Sequence, residues 1–307
     1  MKRLGLRDLV GAGPRAVGRY TGTLLAIFVV QTLVAIAVML AVAVVLAQTF
    51  SHLPLWDDGV DGDTLALAWC MRFARSHLVA CGGIALGGLF LWGLASWFLV
   101  GGLVGVLAQK PEGRGDTARC FGASGATTYL KYARLALCSL PGWMLAFFAW
   151  ATCMSLVANR IEYALTIPEL AFALVLGSAP ALLVAHLTTT ISDYARVELT
   201  LRDATHDAGV IRTYLRAAVF VLRRPVTLVH AGLGWLAFVL VTLVYAYIAQ
   251  GHAMYGAEGA VTLFVIRQGV CLARTALRMG VLAGQVELGR TRALAPPKEA
   301  KKPARPD

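Results

Sequence analysis

Apolar residues run through this chain in six long stretches, separated by short and mostly basic segments. A membrane-spanning helix needs about 20 mostly apolar residues, and each stretch supplies that length. The stretches cover residues 21–47, 78–107, 135–157, 170–191, 226–248 and 260–284. The first two exceed the minimum, which predicts tilted helices or helices that extend into the interface. The pattern therefore predicts an all-α, polytopic membrane helix bundle of six transmembrane helices, forming a single integral-membrane domain over residues 1–290.

The composition agrees with this prediction. Apolar residues make up 58% of the chain, charged residues make up 15%, and the mean hydropathy is +0.68. Soluble domains have about 45–50% apolar and about 25% charged residues. These values exclude a mainly soluble enzyme, a disordered chain and a secreted disulfide scaffold. Residues 291–307 differ from the rest because they are rich in Pro and Lys, which predicts a disordered basic tail.

Basic residues predict how the chain is oriented in the membrane. Most of the 28 Lys and Arg residues precede the first stretch, follow the second or fourth, or lie in the tail. The opposite side holds Arg72, Arg75 and Arg160. Because cytoplasmic loops carry an excess of Lys and Arg, both termini are expected in the cytoplasm of a multi-pass protein of the bacterial inner membrane.

The net charge of +11 suggests one kind of partner. These charges flank membrane spans, so attraction to the lipid bilayer and its anionic headgroups accounts for them. Because no recognition motif accompanies the charge, no nucleic acid is expected as a partner.

One basic segment, residues 210–224, has a helical pattern of its own. Arg212, Arg216 and Arg223 share a face, apolar residues fall on the adjoining face, and Pro225 ends the run. This predicts an interfacial helix that lies flat in the cytoplasmic leaflet. A solvated helix that binds a partner is the alternative.

Two short similarities suggest internal repeats. Residues 128–133 resemble residues 213–218, and residues 197–199 resemble residues 286–288. They predict three repeated hairpin units, each an interfacial helix followed by two spans. Chance similarity among Leu- and Ala-rich helices is the alternative.

Searches for catalytic and metal-binding motifs find nothing specific. The chain has no phosphate-binding loop, no H-E-x-x-H and no G-x-S-x-G, so neither a cofactor nor a metal site is expected. An acidic segment at residues 57–63 lacks the later Glu of a calcium loop, which favours a solvated loop. The six cysteines form no C-x-x-C pair. Cys70 and Cys81 have the placement for an external disulfide, although a packing role is favoured.

Glycines in the second stretch predict close helix packing. Gly83–Gly87 and Gly101–Gly105 each have the small-xxx-small spacing that lets another backbone approach. Packing within the chain is favoured, and a homo-oligomer is the alternative.

The sixth stretch contains the most unusual polar residues. Arg267, Arg274 and Arg278 are spaced to share one face of a helix. An arginine at a helix centre costs about 2.5–3.5 kcal/mol on insertion scales, so the stripe needs counter-charges, water or an anion. Arg267 and Arg274 are predicted to face the bundle interior.

A second polar face lies in the fourth stretch, beyond Pro180. It contains His186, Thr190 and Asp193, and Arg274 is expected within its reach. A structural network neutralised by Asp193, Glu198 or Glu287 is the favoured hypothesis. Two other hypotheses are an anion- or lipid-headgroup site formed by these arginines, His186 and Asp193, and a proton relay through His186.

Along its whole length the chain loosely resembles uncharacterised six-span bacterial inner-membrane proteins. The resemblance rests on hairpins with basic elbows, such as residues 129–131 and residues 193–196. The favoured function is an accessory or structural protein of a membrane complex, or a lipid-interacting protein, with membrane proteins or a second copy as partners. The alternative is a permease for an anionic or amphiphilic substrate, and a membrane enzyme is the third option.

Overall fold

The computed structural model of the chain describes residues 5–50, 75–163, 166–202, 209–251 and 257–290, and single positions at 65, 69 and 72. The acidic segment at 57–63, Cys70 and the tail at 291–307 lie outside these ranges, so the predictions made for them stay predictions. Every regular element within the ranges is an α-helix. The all-α class is therefore confirmed for the described part of the chain.

The helices are numbered here in chain order. They are α1 (Leu6–Arg19), α2 (Thr21–Phe50), α3 (Arg75–Gln109), α4 (Arg114–Glu162), α5 (Ile167–Arg202), α6 (Val210–Leu222), α7 (Pro225–Gly251) and α8 (Ala257–Arg290).

Five helices, α2, α3, α4, α5 and α7, are long and apolar enough to cross a membrane. They contain the first five predicted stretches. The sixth stretch is also helical, and the 34 residues of α8 are long enough to span, but its arginines lower its hydropathy and it is not among the five. The chain is thus a helical protein with several apolar helices suited to a multi-pass membrane arrangement.

The basic segment before the third stretch is not a separate interfacial helix, which corrects that part of the prediction. It forms one continuous helix with the stretch, α4, of 49 residues. A straight helix of that length would measure about 74 Å, more than twice the hydrocarbon thickness of about 30 Å. The helix is continuous because no proline lies between Pro111 and Pro141. The basic segment therefore contains no residue that would interrupt the backbone hydrogen bonds of the helix.

Two short amphipathic helices do stand apart from the spans. α1 ends at Arg19 and α2 begins at Thr21, so Tyr20 alone separates them. α6 ends at Leu222 and α7 begins at Pro225, so the predicted helix at 210–224 exists with nearly the predicted bounds. Proline suits the first position of α7 because the N–H it lacks would have no partner within the helix.

The described residues divide into two compact units. The smaller covers residues 25–97, which is most of α2 and the first part of α3. Within it, a Cβ added at Gly88 would overlap the side chain of Val38, whereas one added at Gly83 or Gly87 would meet no described atom within 4 Å. The close packing expected at Gly83–Gly87 is therefore not found in the described part.

The larger unit covers residues 1–24 and 98–307. In it α4 packs along α5, and α1 packs along α8. α1 and α8 meet through glycines: a Cβ on Gly13 would lie 3.2 Å from the Cα of Gly280. The second glycine pair of α3 also packs inside the chain, since a Cβ at Gly105 would overlap Ser124.

Buried side chains of the larger unit are concentrated at one place, which we call the packed end. It is formed by the end of α3, the first half of α4, the end of α5, the start of α7 and the end of α8. Large side chains that are buried there are Leu103, Val104, Tyr132, Leu135, Tyr194, Val197, Met279, Leu282 and Val286. Further along the helices, large apolar side chains such as Phe147, Leu182 and Leu240 are exposed. Exposed apolar side chains on long helices are what contact with lipid requires.

Candidate functional site

An ion pair between α5 and α8 lies at the centre of the packed end. Asp193 is only 2% exposed. The guanidinium of Arg278 donates to both of its carboxylate oxygens, from Nη1 to Oδ2 at 2.7 Å and from Nη2 to Oδ1 at 2.6 Å. This two-point geometry is the strongest that Arg and a carboxylate form, and it ties the two helices together.

A second arginine completes the environment of Asp193. Nη1 of Arg196 donates to Oδ1 at 3.1 Å. The carbonyl of Arg196 accepts from the hydroxyl of Tyr132 at 3.1 Å, and that hydroxyl lies 2.7 Å from Oγ1 of Thr200. The fully buried Gln285 lies beside the carboxylate. Asp193 therefore has two cations around it, and the network continues into α4.

Arg274 contacts a different helix from the one we expected. Its Nη2 donates to Oγ1 of Thr242 at 2.5 Å, and its guanidinium lies over the ring of Phe238, 4.3 Å from the centroid. Both partners belong to α7, and these two contacts do not involve the polar face of α5. α8 packs against both α5 and α7. Arg274 and Arg278 lie one turn apart on α8, and they contact α7 and α5 respectively.

Arg267 does not face the interior, which corrects the prediction that both Arg267 and Arg274 do so. Its side chain is exposed, as are Val261, Phe264 and Val265 around it. The reason is its position along α8: it lies about three turns from Arg278, beyond the packed end.

His186 is tied to the backbone of α7. Its Nε2 lies 3.2 Å from the carbonyl oxygen of Leu228, and since a carbonyl only accepts, this nitrogen carries the hydrogen. Oγ1 of Thr190 donates to the carbonyl of His186 at 2.8 Å within α5. Side chains of the predicted polar face therefore contact two different helices: His186 contacts α7, and Asp193 contacts α8.

The other two acids named from the sequence pair with cations outside the stripe. Glu198 lies 3.0 Å from Arg202 and 4.0 Å from Arg216. Glu287 lies 2.7 Å from Lys110 and 3.6 Å from Arg290. The hypothesis of a structural network therefore holds for one arginine of the stripe: Arg278 pairs with Asp193.

A cavity of about 400 Å³ lies beside these ion pairs, between α1, the end of α3 and α8. It is lined by Asp8, Ala12, Arg15, Ala16, Arg19, Tyr20, Leu107, Lys110, Ala283 and Glu287. The sequence-based predictions used Arg15, Arg19 and Lys110 to orient the chain and did not assign them to a site. One signal marks them in hindsight: Arg19 lies just before one predicted span and Lys110 just after another.

Tyr20 forms part of the cavity wall and is itself buried. The guanidinium of Arg19 lies 5.5 Å from its ring centroid. Burial raises the pKa of the Tyr20 phenol above its ordinary value, although the charge of Arg19 opposes this rise. The hydroxyl therefore keeps its hydrogen at neutral pH.

Within the described ranges, no group of three or more His, Cys, Asp or Glu side chains is arranged to hold a metal ion. The cavity offers cationic and hydrogen-bonding groups, namely two guanidinium groups, an ammonium group and a phenol, together with the two carboxylates of Asp8 and Glu287. Comparison of the chain with protein-family models, with curated proteins and with solved structures gives no match.

Proposed function

We propose that the chain is a six-span protein of a bacterial inner membrane, with both termini in the cytoplasm. In this proposal it is an accessory or structural protein that interacts with anionic lipids, rather than an enzyme. The observation that carries the proposal is the pairing of Asp193 with Arg278 and Arg196. It supports a structural role for these polar side chains, because their charges neutralise one another between helices.

The proposed orientation is supported by where the basic segments meet. Lys110 of the segment after α3 pairs with Glu287 near the end of α8. Arg216 of α6 lies near Glu198 at the end of α5. All of these residues belong to segments that the distribution of Lys and Arg assigns to the cytoplasmic side. Their proximity fits six spans, with α8 as the sixth.

The proposed repeats gain support from matching environments. Thr128 and Thr213, which correspond in the first similarity, are both buried, and each donates to the carbonyl four residues earlier. In the second similarity, Glu198 and Glu287 each pair with an arginine on their own helix and with a cation from a different segment of the chain. The same threonine bond occurs at other helical positions, such as Thr189 and Thr242, so the support for the repeats comes from the ion pairs of the two glutamates.

Lipid interaction is supported by the exposed surface of α6, which packs against α5. The exposed side chains of α6 include Ile211 and Leu215 on one face and Arg212 on the adjoining face, and Arg223, directly after the helix, is also exposed. An amphipathic helix of this kind lies in the interface, with its apolar face among acyl chains and its cations at anionic headgroups.

A permease is the alternative, and it requires a path that reaches Arg274. Arg274 is instead held by Thr242 and Phe238, and it does not line the cavity described above. These contacts favour the accessory protein.

Two experiments test the proposal. Reporter fusions after residues 60, 160 and 254 should report the external side, and fusions after residues 115, 205 and 300 the cytoplasm. An external report at 115 would refute the topology. Purification in mild detergent, followed by mass spectrometry, should then find anionic phospholipid enriched over zwitterionic phospholipid, and equal retention of the two would refute lipid interaction.

A further inference from the structure

The cavity between α1, α3 and α8 combines charges of both signs, with cations in excess. Arg15, Arg19 and Lys110 line it together with Asp8 and Glu287. Its volume of about 400 Å³ falls within the range of about 300–1,000 Å³ that is usual for small-molecule sites. A ligand that carries negative charge would be attracted to this lining.

The two arginines of α1 hold the charge that is available to a ligand. Both are exposed. Nε of Arg15 donates to the carbonyl of Gly11 at 2.9 Å, and Nη2 of Arg19 donates to the carbonyl of Lys110 at 3.4 Å. Those acceptors are neutral, and neither arginine forms an ion pair with a carboxylate in the described part of the chain. Each guanidinium keeps donors for an anion.

The acids of the cavity are already engaged. Asp8 accepts from the N–H of Gly5 at 3.1 Å. Glu287 is shared by Lys110 and Arg290. The cations therefore neutralise Glu287, whereas Asp8, bonded to a neutral donor, keeps its negative charge. Three cations and two carboxylates line the cavity, so positive charge is still in excess.

An unusual backbone conformation holds Lys110 in place. Its φ is 55°, in the left-handed region that favours glycine. Its N–H donates to the carbonyl of Val106 at 2.9 Å, which ends α3. This backbone conformation sets the direction in which the Lys110 side chain leaves the end of α3. Its ammonium group lies 2.7 Å from Oε1 of Glu287. Unfavourable backbone conformations of this kind cluster at binding sites.

The level of the cavity in the membrane identifies the class of ligand, and this step rests on the proposed function. The first candidate span begins at Thr21, and the second ends at Gln109. Arg19 and Lys110 are therefore within two residues of a span's end. This is the level at which the hydrocarbon core gives way to lipid headgroups.

We propose that this cavity binds a phosphate group, which Arg15 and Arg19 contact through their guanidinium groups, with an anionic phospholipid as the expected source. Guanidinium groups form two parallel hydrogen bonds with phosphate oxygens, and the ammonium of Lys110 adds a point charge. Asp8 and Glu287 can accept hydrogen bonds from hydroxyl groups of the same ligand. Phosphatidylglycerol, which carries one phosphate and two hydroxyl groups, matches both parts of the lining.

The test compares two double variants of the full-length protein in mild detergent. Arg15→Gln/Arg19→Gln removes the free charge of the cavity. Arg114→Gln/Arg119→Gln removes the same charge from exposed positions on α4 that do not line the cavity. Each protein is titrated with phosphatidylglycerol and with phosphatidylcholine, and bound lipid is counted by native mass spectrometry. Inorganic phosphate and glycerol 3-phosphate are then added as soluble competitors.

We expect the cavity variant to bind phosphatidylglycerol at least about tenfold more weakly, since it loses charge-assisted hydrogen bonds, and the control variant to bind it almost as the unmodified protein does. Displacement by millimolar phosphate would identify a soluble phosphate compound as the source, and retention would identify the lipid. Arg15→Lys/Arg19→Lys keeps the charge without the forked geometry, so its binding should fall between those of the unmodified protein and the Gln variant. It serves as the test if the Gln variant does not fold.

Two results separate failure of the site from failure of the proposed function. Equal weakening in the cavity and control variants would overturn the site, while general attraction of the basic face to anionic lipid would stand. If the unmodified protein does not distinguish phosphatidylglycerol from phosphatidylcholine, lipid interaction itself fails and the site fails with it.

Discussion

Asp193 of α5 accepts hydrogen bonds from both terminal nitrogens of Arg278 of α8, at 2.7 and 2.6 Å. The two residues are 85 positions apart in the chain. The carboxylate is buried, whereas the side chain of Arg278 is 40% exposed. Loss of the arginine would therefore leave a buried charge with less compensation, while loss of the carboxylate would leave a cation that water or headgroups can still reach.

The first prediction concerns this pair. Asp193→Asn should lower the free energy of unfolding by about 2–3 kcal/mol, because hydrogen bonds to charged groups are lost. Arg278→Gln should cost more, about 3–5 kcal/mol, because the buried carboxylate loses its main partner. The double variant Asp193→Asn/Arg278→Gln should cost less than the sum of the two. Equilibrium unfolding in mixed micelles measures all three.

Arg274 supplies the control for that cycle. Its contacts are with Thr242 and Phe238 of α7, so Arg274→Gln should add its cost independently to that of Asp193→Asn. Rescue of Asp193→Asn by Arg274→Gln, as large as the rescue by Arg278→Gln, would contradict the assignment of the counter-charge.

The second prediction tests the contact between α1 and α8. A Cβ added at Gly13 would lie 3.2 Å from the Cα of Gly280, whereas one added at Gly18 would meet no described atom within 4 Å. Both glycines lie in α1, where alanine is favoured over glycine by about 1 kcal/mol. Gly18→Ala should therefore stabilise the protein, and Gly13→Ala should gain less or destabilise it. Equal effects of the two substitutions on thermal unfolding would argue against the close approach.

The third prediction concerns α6. Ile211 and Leu215 are exposed, Arg212 is exposed beside them, and Val221 is buried. Spin labels at Ile211 and Leu215 should be accessible to oxygen dissolved in lipid, and a label at Arg212 to a water-soluble nickel complex. A label at Val221 should be shielded from both reagents. Water access at all four positions would mean a solvated helix instead.

The sequence predicts the spans of this protein better than it predicts their partners. Length and hydropathy depend on each segment alone, so α2, α3, α4, α5 and α7 follow from composition. The contacts of Arg274 depend on which helices flank α8, and spacing along one helix carries no information about its neighbours. The spacing predicted a common environment for Arg267, Arg274 and Arg278, whereas the three side chains have different ones.

The cavity was missed for a related reason. Its cations come from α1 and from the end of α3, about 90 residues apart in the sequence, and each basic segment already had an explanation in membrane topology. Besides the positions of Arg19 and Lys110 next to predicted spans, the sequence carries a second local signal, a lysine that directly precedes a proline. The residue before a proline avoids the helical region, so Lys110 had to leave α3, although its direction could not be read from the sequence.

The fourth prediction uses pH. Burial raises the pKa of Tyr20 above its ordinary value of 10.0, so the folded state favours the neutral phenol. The stabilisation from this group is fully present below about pH 10 and is lost as pH rises through the folded-state value, because the unfolded chain releases the proton first. Tyr20→Phe should therefore unfold with a shallower alkaline decline than the unmodified protein. Identical alkaline profiles for the two proteins would refute the burial of the phenol.

The last prediction separates the backbone of Lys110 from its charge. Lys110→Gly and Lys110→Ala both remove the ion pair with Glu287; that pair is partly exposed, and such pairs contribute about 0–1 kcal/mol. The two substitutions differ in the backbone: at a φ of 55° glycine avoids a steric cost of about 1–2 kcal/mol that alanine keeps. Lys110→Gly should thus be more stable than Lys110→Ala by about that amount, while both lose the same charge and should weaken phosphatidylglycerol binding to the same extent. If alanine were as stable as glycine here, the left-handed turn would be refuted, and if only one of the two variants lost lipid, the ammonium would not be the group that contacts it.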